Sequence, residues 1–369
     1  MAKNLTALPF TEMVERVAEM ARIADDGLSR VRAAVQDEYR DLRNKEDWTF
    51  LFSTSAIAAI APYTVGVASV NTQDTAVTFS TDAVITAAMT GRKVKFNSNG
   101  NVYEFTFSNT TGGTISPPLS GDSNVVSGAF SIFQDTYALP DDFARFPRNV
   151  AVIKQDGGRN TAIPEFKSYG DWVTNYNPSP STPEKCRVVE VGTGGNSSVQ
   201  FNPPPNKAYV FPFAYVRDMP PLRETTAGVA VIDAGSVAVV GSVGVSRFTE
   251  VSTGSYFRIS AFGKRDDSEW YRVISIANNS AMTLQTAFGT SSASSAGYTL
   301  CTAPAMPEIM HPAIVYGALM RILVDQNDTM YQWASSMKSV ILTDARRLYK
   351  SRDYSADIDG VWEDYHYRR

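Results

Sequence analysis

Cysteine and histidine are nearly missing from this chain. Cys186 and Cys301 are the only thiols in 369 residues, and they stand far apart with no metal or redox motif around them. That count excludes a disulfide scaffold and fits a reducing compartment. The two histidines, His311 and His366, lie before a proline and in the last few residues, and neither belongs to a metal-ligand pattern. An excess of positive charge is missing too. Lys and Arg number 34 against 38 Asp and Glu, a net charge of -4, so no global basic field recruits nucleic acid, and contact with DNA is expected to be loose. No apolar run is long enough to span a bilayer, and residues 1–5 lack the basic and apolar segments of a secretion signal. The expectation is a soluble chain that stays in the cytoplasm where it is made.

Catalytic constellations are equally sparse. Gly192-Thr193-Gly194-Gly195 hints at a phosphate loop, but no Lys-Ser/Thr pair follows, and a hairpin turn is the better reading. No Gly-x-Ser-x-Gly elbow occurs. Adjacent carboxylates such as Asp141-Asp142, Asp266-Asp267 and Glu363-Asp364 read as solvated surface, because nothing places two of them across a cleft. A non-enzymatic protein with no cofactor and no metal is expected.

What the chain does have is material for several cores. Hydrophobic residues make up 43% and charged residues 20%, and a chain of this length calls for two or three domains. Helical periodicity is confined to the ends. Met13, Val14, Val17 and Met20 recur at helical spacing, and after Asp25-Asp26-Gly27 the stripe Leu28, Val31, Val35, Tyr39 and Leu42 marks an amphipathic helix. It runs into Trp48-Thr49-Phe50-Leu51-Phe52, where large apolar residues crowd together. Tyr39, Leu42, Trp48, Phe50 and Leu51 are the expected core anchors. At the other end, Ile314, Val315, Ala318, Leu319 and Ile322 predict a helix from about His311 to Asp325. A longer one follows from Thr329 to Lys350, with Ile341, Leu342, Ala345 and Leu348 on one face. Neither hairpin buries enough alone, so the two are expected to meet.

Between the ends, period-two alternation dominates, and two stretches repeat one another. Gly91, Val94-Lys95-Phe96, Tyr103-Glu104-Phe105-Thr106-Phe107, Asn109, Thr114-Ile115 and Gly128-Ala129-Phe130-Ser131-Ile132 are matched by a second series. That series is Gly254, Phe257-Arg258-Ile259, Tyr271-Arg272-Val273-Ile274-Ser275, Asn278, Thr283-Leu284 and Gly297-Tyr298-Thr299-Leu300. The pattern predicts a small antiparallel β domain, barrel or sandwich, inserted twice. The expected fold is α+β: a helical bundle core with a β-arm. Its parts are 1–53 (N-terminal helices), 135–224 (β-arm and return to the core), 306–350 (C-terminal helices) and 351–369 (a tail), with insertions at 54–134 and 225–305.

The helical ends resemble the head-to-tail adaptor, or connector, family of tailed bacteriophages. The likeness rests on Val35-Gln36-Asp37-Glu38-Tyr39-Arg40-Asp41-Leu42 followed by Trp48-Thr49-Phe50-Leu51. Three further segments carry it: Tyr137-Ala138-Leu139-Pro140-Asp141-Asp142-Phe143, Pro203-Pro204-Pro205 through Tyr209 and Tyr215, and His311-Pro312 through Arg346-Arg347. It covers about half the chain, and the β insertions depart from smaller family members. The resemblance implies a structural virion protein that forms a homo-oligomeric ring, commonly twelve-fold, in the neck of the particle. Such a ring binds the portal protein above and a tail, stopper or nozzle protein below, and leaves a channel through which DNA passes at genome ejection with transient, non-specific contact. A C-terminal extension commonly meets the portal. In this chain that extension concentrates Tyr354, Trp362, Tyr365 and Tyr367 with Arg368 and Arg369, a mixture suited to an interface. Two other readings are another tail or baseplate subunit and a carbohydrate-binding or carbohydrate-cleaving module. The latter would rest on exposed aromatics such as Trp172, Tyr176 and Trp270.

Overall fold

The computed structural model of the chain describes residues 7–24, 27–121, 123–147, 152–156, 159–166, 168–190, 197–259, 269–289, 292–323 and 328–350. The chain sorts into two compact units, one of Met1–Leu51 with Met219–Arg369 and one of Phe52–Asp218.

The first unit opens with helices α1 (Phe10–Met20) and α2 (Leu28–Lys45). The chain then enters the Phe52–Asp218 unit through β1 (Phe52–Ala58) and reaches the earlier of the two β-rich stretches. Its strands are β2 (Ala68–Val70), β3 (Ala76–Phe79), β4 (Lys93–Phe96), β5 (Val102–Asn109), β6 (Gly112–Ser116), β7 (Val125–Gly128) and β8 (Phe130–Phe133). They pair antiparallel in the order β7-β2-β3-β6-β5-β4-β8. The two ends of that order are joined through Ala129 alone, so β7 and β8 form one bent ribbon and the sheet closes on itself as a small barrel. Its inside is filled by alternate residues of each strand, among them Val77, Phe79, Val94, Phe96, Phe105 and Phe130.

The rest of that unit holds β9 (Thr136–Ala138), β10 (Phe143–Arg145), β11 (Val152–Asp156), β12 (Arg159–Ile163), α3 (Tyr169–Thr174), β13 (Lys185–Glu190), β14 (Ser197–Asn202) and β15 (Val210–Arg217). One sheet runs β1-β15-β11-β12 with β10 also on β15, and another runs β13-β14-β9. A single aromatic core serves both, centred on Phe201 stacked against Phe211 with ring centroids 4.4 Å apart.

Back in the first unit come β16 (Glu224–Thr225), β17 (Ala230–Ile232), β18 (Ala238–Gly241), β19 (Tyr256–Ile259), β20 (Tyr271–Asn278), β21 (Ala281–Leu284), β22 (Ala293–Ala296) and β23 (Tyr298–Cys301). Helices α4 (His311–Ile322) and α5 (Thr329–Tyr349) follow. The strand order is β16-β23-β19-β20-β21-β18-β17-β22. With β17 to β23 set against β2 to β8, this is the first barrel's order strand for strand. The registers agree as well: Val94 faces Tyr103 as Phe257 faces Tyr271, and Lys93 faces Phe133 as Tyr256 faces Cys301. Even the irregularity is shared, for Ala68 and Val70 meet Gly128 and Val125 across a bulge, as Ala230 and Ile232 meet Ala296 and Ala293. Ser127 and Ser295 take the left-handed backbone inside those two bulges.

One local device explains why glycine recurs at the barrel entrance. Gly66 and Gly228 both have φ near +90°, at 87° and 89°, where a side chain is strained. A Cβ at either would also crowd the Ser80 or Ser242 hydroxyl. Each serine hydroxyl instead accepts the next residue's N–H, Val67 at 2.9 Å and Val229 at 3.3 Å. The incoming strand is clipped to the outgoing one in both copies, Tyr63 to Ile132 and Thr225 to Leu300.

The expected helical bundle core is corrected by this architecture. Strand accounts for 36% of the residues against 26% helix, in several large antiparallel sheets, and the described residues contain five α-helices with no bundle as the core. The physical reason lies in what each part buries. The strands of 135–224, expected to lean on helices as an arm, have an aromatic core of their own with β1. Much of the helical surface is spent on strands or left open. The N–H of Phe10 in α1 bonds to Thr302 just past β23, α2 holds Leu222 and Pro220 through Gln36 and Tyr39, and α5 buries only Ala334, Leu342 and Ala345.

Candidate functional site

The helices of the first unit meet at one end, and the residues that assemble there come from both termini. Helix α2 turns Val31, Val35, Tyr39 and Leu42 inward, as its spacing dictates, toward α4, which is buried on most sides. Among these apolar residues lies one carboxylate. Glu38 is buried and receives Lys338 Nζ at 2.6 Å and Arg321 Nε at 3.1 Å, and Arg321 also pairs with Asp41. A buried carboxylate needs such partners to avoid a large desolvation penalty. The pairs tie α2 to α4 and α5, and Gly317 leaves the room Glu38 occupies, since a Cβ there would overlap its carboxyl.

Just beyond α2, Trp48 is fully buried, and its Nε1–H donates to the Leu42 carbonyl at 2.8 Å. Its backbone pairs with Lys350, the last described residue. The Trp48 ring stacks on Phe50, and Phe50 meets Tyr349 edge-on, both with centroids 5.9 Å apart. Glu46 completes the joint with Arg346 at 2.9 Å and Lys350 at 3.3 Å. Burial alone would raise the Glu46 carboxyl, but the hydrogen bonds and charges of Lys350 and Arg346 outweigh it and hold the pKa below the ordinary value. Of the five expected anchors, Tyr39, Leu42, Trp48 and Leu51 are buried and Phe50 is half-buried. Of these, Trp48 and Phe50 hold the last described residues, Tyr349 and Lys350. Tyr354, Trp362, Tyr365, Tyr367, Arg368 and Arg369 themselves lie outside the described residues, as do His366 and the 192–195 turn.

Helix α5 carries a second apolar stripe, and Leu348, which its spacing set on one face with Ile341, Leu342 and Ala345, belongs to it. Ala334, Leu342 and Ala345 are buried, whereas Trp333, Val340 and Leu348 are 43%, 59% and 62% exposed. Tyr316 of α4 meets the Trp333 ring edge-on at 5.1 Å, which leaves the rest of the indole to solvent.

At the opposite end of α4, His311 is buried. Its Nδ1 accepts the Leu8 N–H at 3.0 Å, and its Nε2 lies 3.1 Å from the Met306 carbonyl, so one neutral tautomer satisfies both. This histidine fastens the segment before α1.

In the other unit, Asp135 is the comparable polar knot. Its Oδ2 takes Lys93 Nζ at 2.5 Å, Tyr176 OH at 2.6 Å and Gln200 Nε2 at 2.6 Å, which joins the first barrel to β14 and the segment after α3. Burial works to raise its pKa, but the Lys93 charge and the three hydrogen bonds prevail and lower it. These contacts also remove the aromatic platform considered for carbohydrate. Trp172 is buried against Arg187, Tyr176 is committed to Asp135, and Trp270 is half-buried under Arg258. Sequence offered no sign of either carboxylate knot, because the partners lie far apart along the chain.

Among the described residues no group of three or more His, Cys, Asp or Glu could hold a metal ion, and no helix is long and apolar enough to cross a membrane. Both thiols are buried and pushed up by desolvation, Cys301 to about 12. No protein-family model matches the chain, and no curated protein matches it.

Proposed function

We propose that this protein is a non-enzymatic virion subunit of the head-to-tail adaptor type, assembling as a ring in the neck of a tailed phage particle. The observation that carries the reading is the uncovered stripe Trp333, Val340 and Leu348 on α5. A helix with one apolar side sealed by its own chain and a second left to water is built to be covered by another protein. The stripe runs toward the joint at Trp48 and Lys350, and the sequence beyond that joint carries the aromatic residues expected to meet the portal. The tail, stopper or nozzle protein is taken by other surfaces of the ring. The net charge of -4 suits a conduit that DNA slides past without sticking.

Electron microscopy and sedimentation of the full chain, with and without portal protein, test this. A closed ring that binds portal is the expected result. Trp333→Ser combined with Leu348→Ser, or a chain ending at Lys350, should still form rings and lose portal binding by at least about 30-fold. A chain that stays monomeric at all concentrations and ignores the portal overturns the reading.

A further inference from the structure

The sheet β13-β14-β9 ends at β13, and the outer edge of that strand is only half used. Cys186 spends its backbone there: its N–H bonds to the Pro164 carbonyl at 3.1 Å, and its carbonyl takes the Phe166 N–H at 2.7 Å. In an antiparallel strand alternate residues turn both backbone groups to the same side, so Val188 is the next to face outward. Among the described residues β13 pairs with no strand but β14, and no backbone partner meets Val188 on the outer side. An N–H and a carbonyl are thus presented at an open edge.

Beside that edge stands a guanidinium that is held in place but not neutralised. Arg187 lies over the Tyr169 ring at 5.0 Å and the Trp172 ring at 4.9 Å, and its Nε donates to Gln200 Oε1 at 2.9 Å. Elsewhere in the chain Arg32, Arg258, Arg321 and Arg346 are each paired with a carboxylate. Arg187 forms no ion pair among the described residues, and its two Nη groups have no acceptor there. Two residues back on the same side of β13, Lys185 Nζ lies over the Phe166 ring at 4.9 Å, again with no carboxylate partner among the described residues. Tyr169 is 72% exposed, so the cluster is open to solvent.

We infer that β13 receives an extended acidic segment of a partner protein, which adds as a strand at Val188 and lays a carboxylate on Arg187. The two rings and Gln200 already fix the guanidinium, so a ligand need not order it, and the free Nη groups match the two oxygens of a carboxylate. The open backbone groups select the kind of ligand. They are satisfied by another main chain, as in strand addition, whereas a nucleic acid or a free anion supplies none. The surface belongs to the Phe52–Asp218 unit and does not depend on the ring reading.

A short fluorescent peptide of alternating Thr and Glu, titrated onto the full chain and followed by anisotropy, is the probe. Binding with Kd below about 1 mM is expected, and the peptide with Gln in place of Glu should bind at least about 10-fold more weakly. Arg187→Lys should also cost about 10-fold, because a point charge does not span both oxygens. Val188→Pro removes the outward N–H and leaves the pairing with β14, and a loss of about 10-fold is expected from it as well. Circular dichroism reports folding. If Val188→Pro unfolds the chain, methylating the central backbone nitrogens of the peptide removes the same bonds from the ligand side and should give the same loss. A natural chain that does not bind the peptide, or binding unchanged by Arg187→Lys and by backbone methylation, overturns the inference. A single-stranded oligonucleotide that binds more tightly than the peptide, dependent on Arg187 and indifferent to Val188→Pro, would make this a phosphate site and overturn it too.

Discussion

Two barrels with one strand order and different contents show which features of a sequence specify a fold and which are free to vary. The positions kept are conformational: Gly66 and Gly228, Gly91 and Gly254, and Ser127 and Ser295 in the two bulges, each with positive φ. The interiors are rebuilt. In the first barrel Phe79 lies between Phe105 and Phe130, at 5.7 and 4.9 Å, and Gly113 is bare because a Cβ there would strike the Phe105 ring. In the second, Val273 and Met282 stand where Phe105 and Gly113 do. Gly241 replaces Phe79, and the space is filled from the loop by Phe248, packed on Tyr298 at 5.3 Å. Large and small change places between the two interiors, as close packing requires.

The largest test of that comparison removes matched core side chains. Phe105→Ala should destabilise the first barrel by about 3–5 kcal/mol, while Val273→Ala at the same station should cost the second only about 2 kcal/mol. Urea unfolding followed by hydrogen exchange on each barrel reads both. Equal losses would mean that the barrels are not packed by equivalent stations.

A second test sets the polar knots against each other. Asp135→Asn, which takes the carboxylate from the half-buried Lys93, should cost the first barrel's unit about 2 kcal/mol. Because the Asp135 pKa is lowered, its stabilisation is present above the ordinary value of 3.8 and is lost as pH falls below it. His311, in the unit of the second barrel, responds earlier. Desolvation lowers its pKa below 6.5 despite the Met306 and Glu308 contacts that would raise it. Between the folded and unfolded values the unfolded chain binds more protons, so stability falls as pH drops below 6.5. Exchange protection around Leu8 should therefore weaken by pH 5.5 while the Asp135 region keeps its own, and His311→Asn should abolish the early step. Simultaneous loosening of both at pH 5.5 would be the contrary result.

The smallest effect concerns the glycine that admits Phe248. Gly241→Ala should cost about 2 kcal/mol by overpacking, with roughly half recovered when Phe248→Leu is added. Denaturant midpoints of the four chains complete the cycle. A strictly additive pair would show that Gly241 is needed for some other reason.

Much of this duplication was legible in the residues. Tyr103 and Tyr271, Asn109 and Asn278, and the alternating strands between them gave away the repeat because they serve the same geometry: both tyrosine hydroxyls accept a turn N–H, from Ser120 and Gly289, and both asparagines hold the turn after β5 or β20. The repeated Gly66-Val67-Ala68 and Gly228-Val229-Ala230 is a further signal of the same duplication. The helical ends misled for a physical reason. A stripe at helical spacing reports that a face is covered, not by what, and α2 covers its face partly with the 220–224 segment. Leu348 was expected inside and is outside, since periodicity could not separate the two stripes of α5. The knots at Glu38 and Asp135 left no trace, because a buried carboxylate is recognised only by partners that folding brings together.

The clips at the barrel entrances have a mechanical consequence. Tyr63 and Ile132 exchange both backbone hydrogen bonds, at 2.8 and 2.9 Å, so the chain enters and leaves the first barrel at neighbouring points. Tension along the polypeptide would cross that pair of bonds directly instead of running through the strands beyond it. The barrel hangs beside the line of load, so tension reaches its strands only after that pair of bonds has parted.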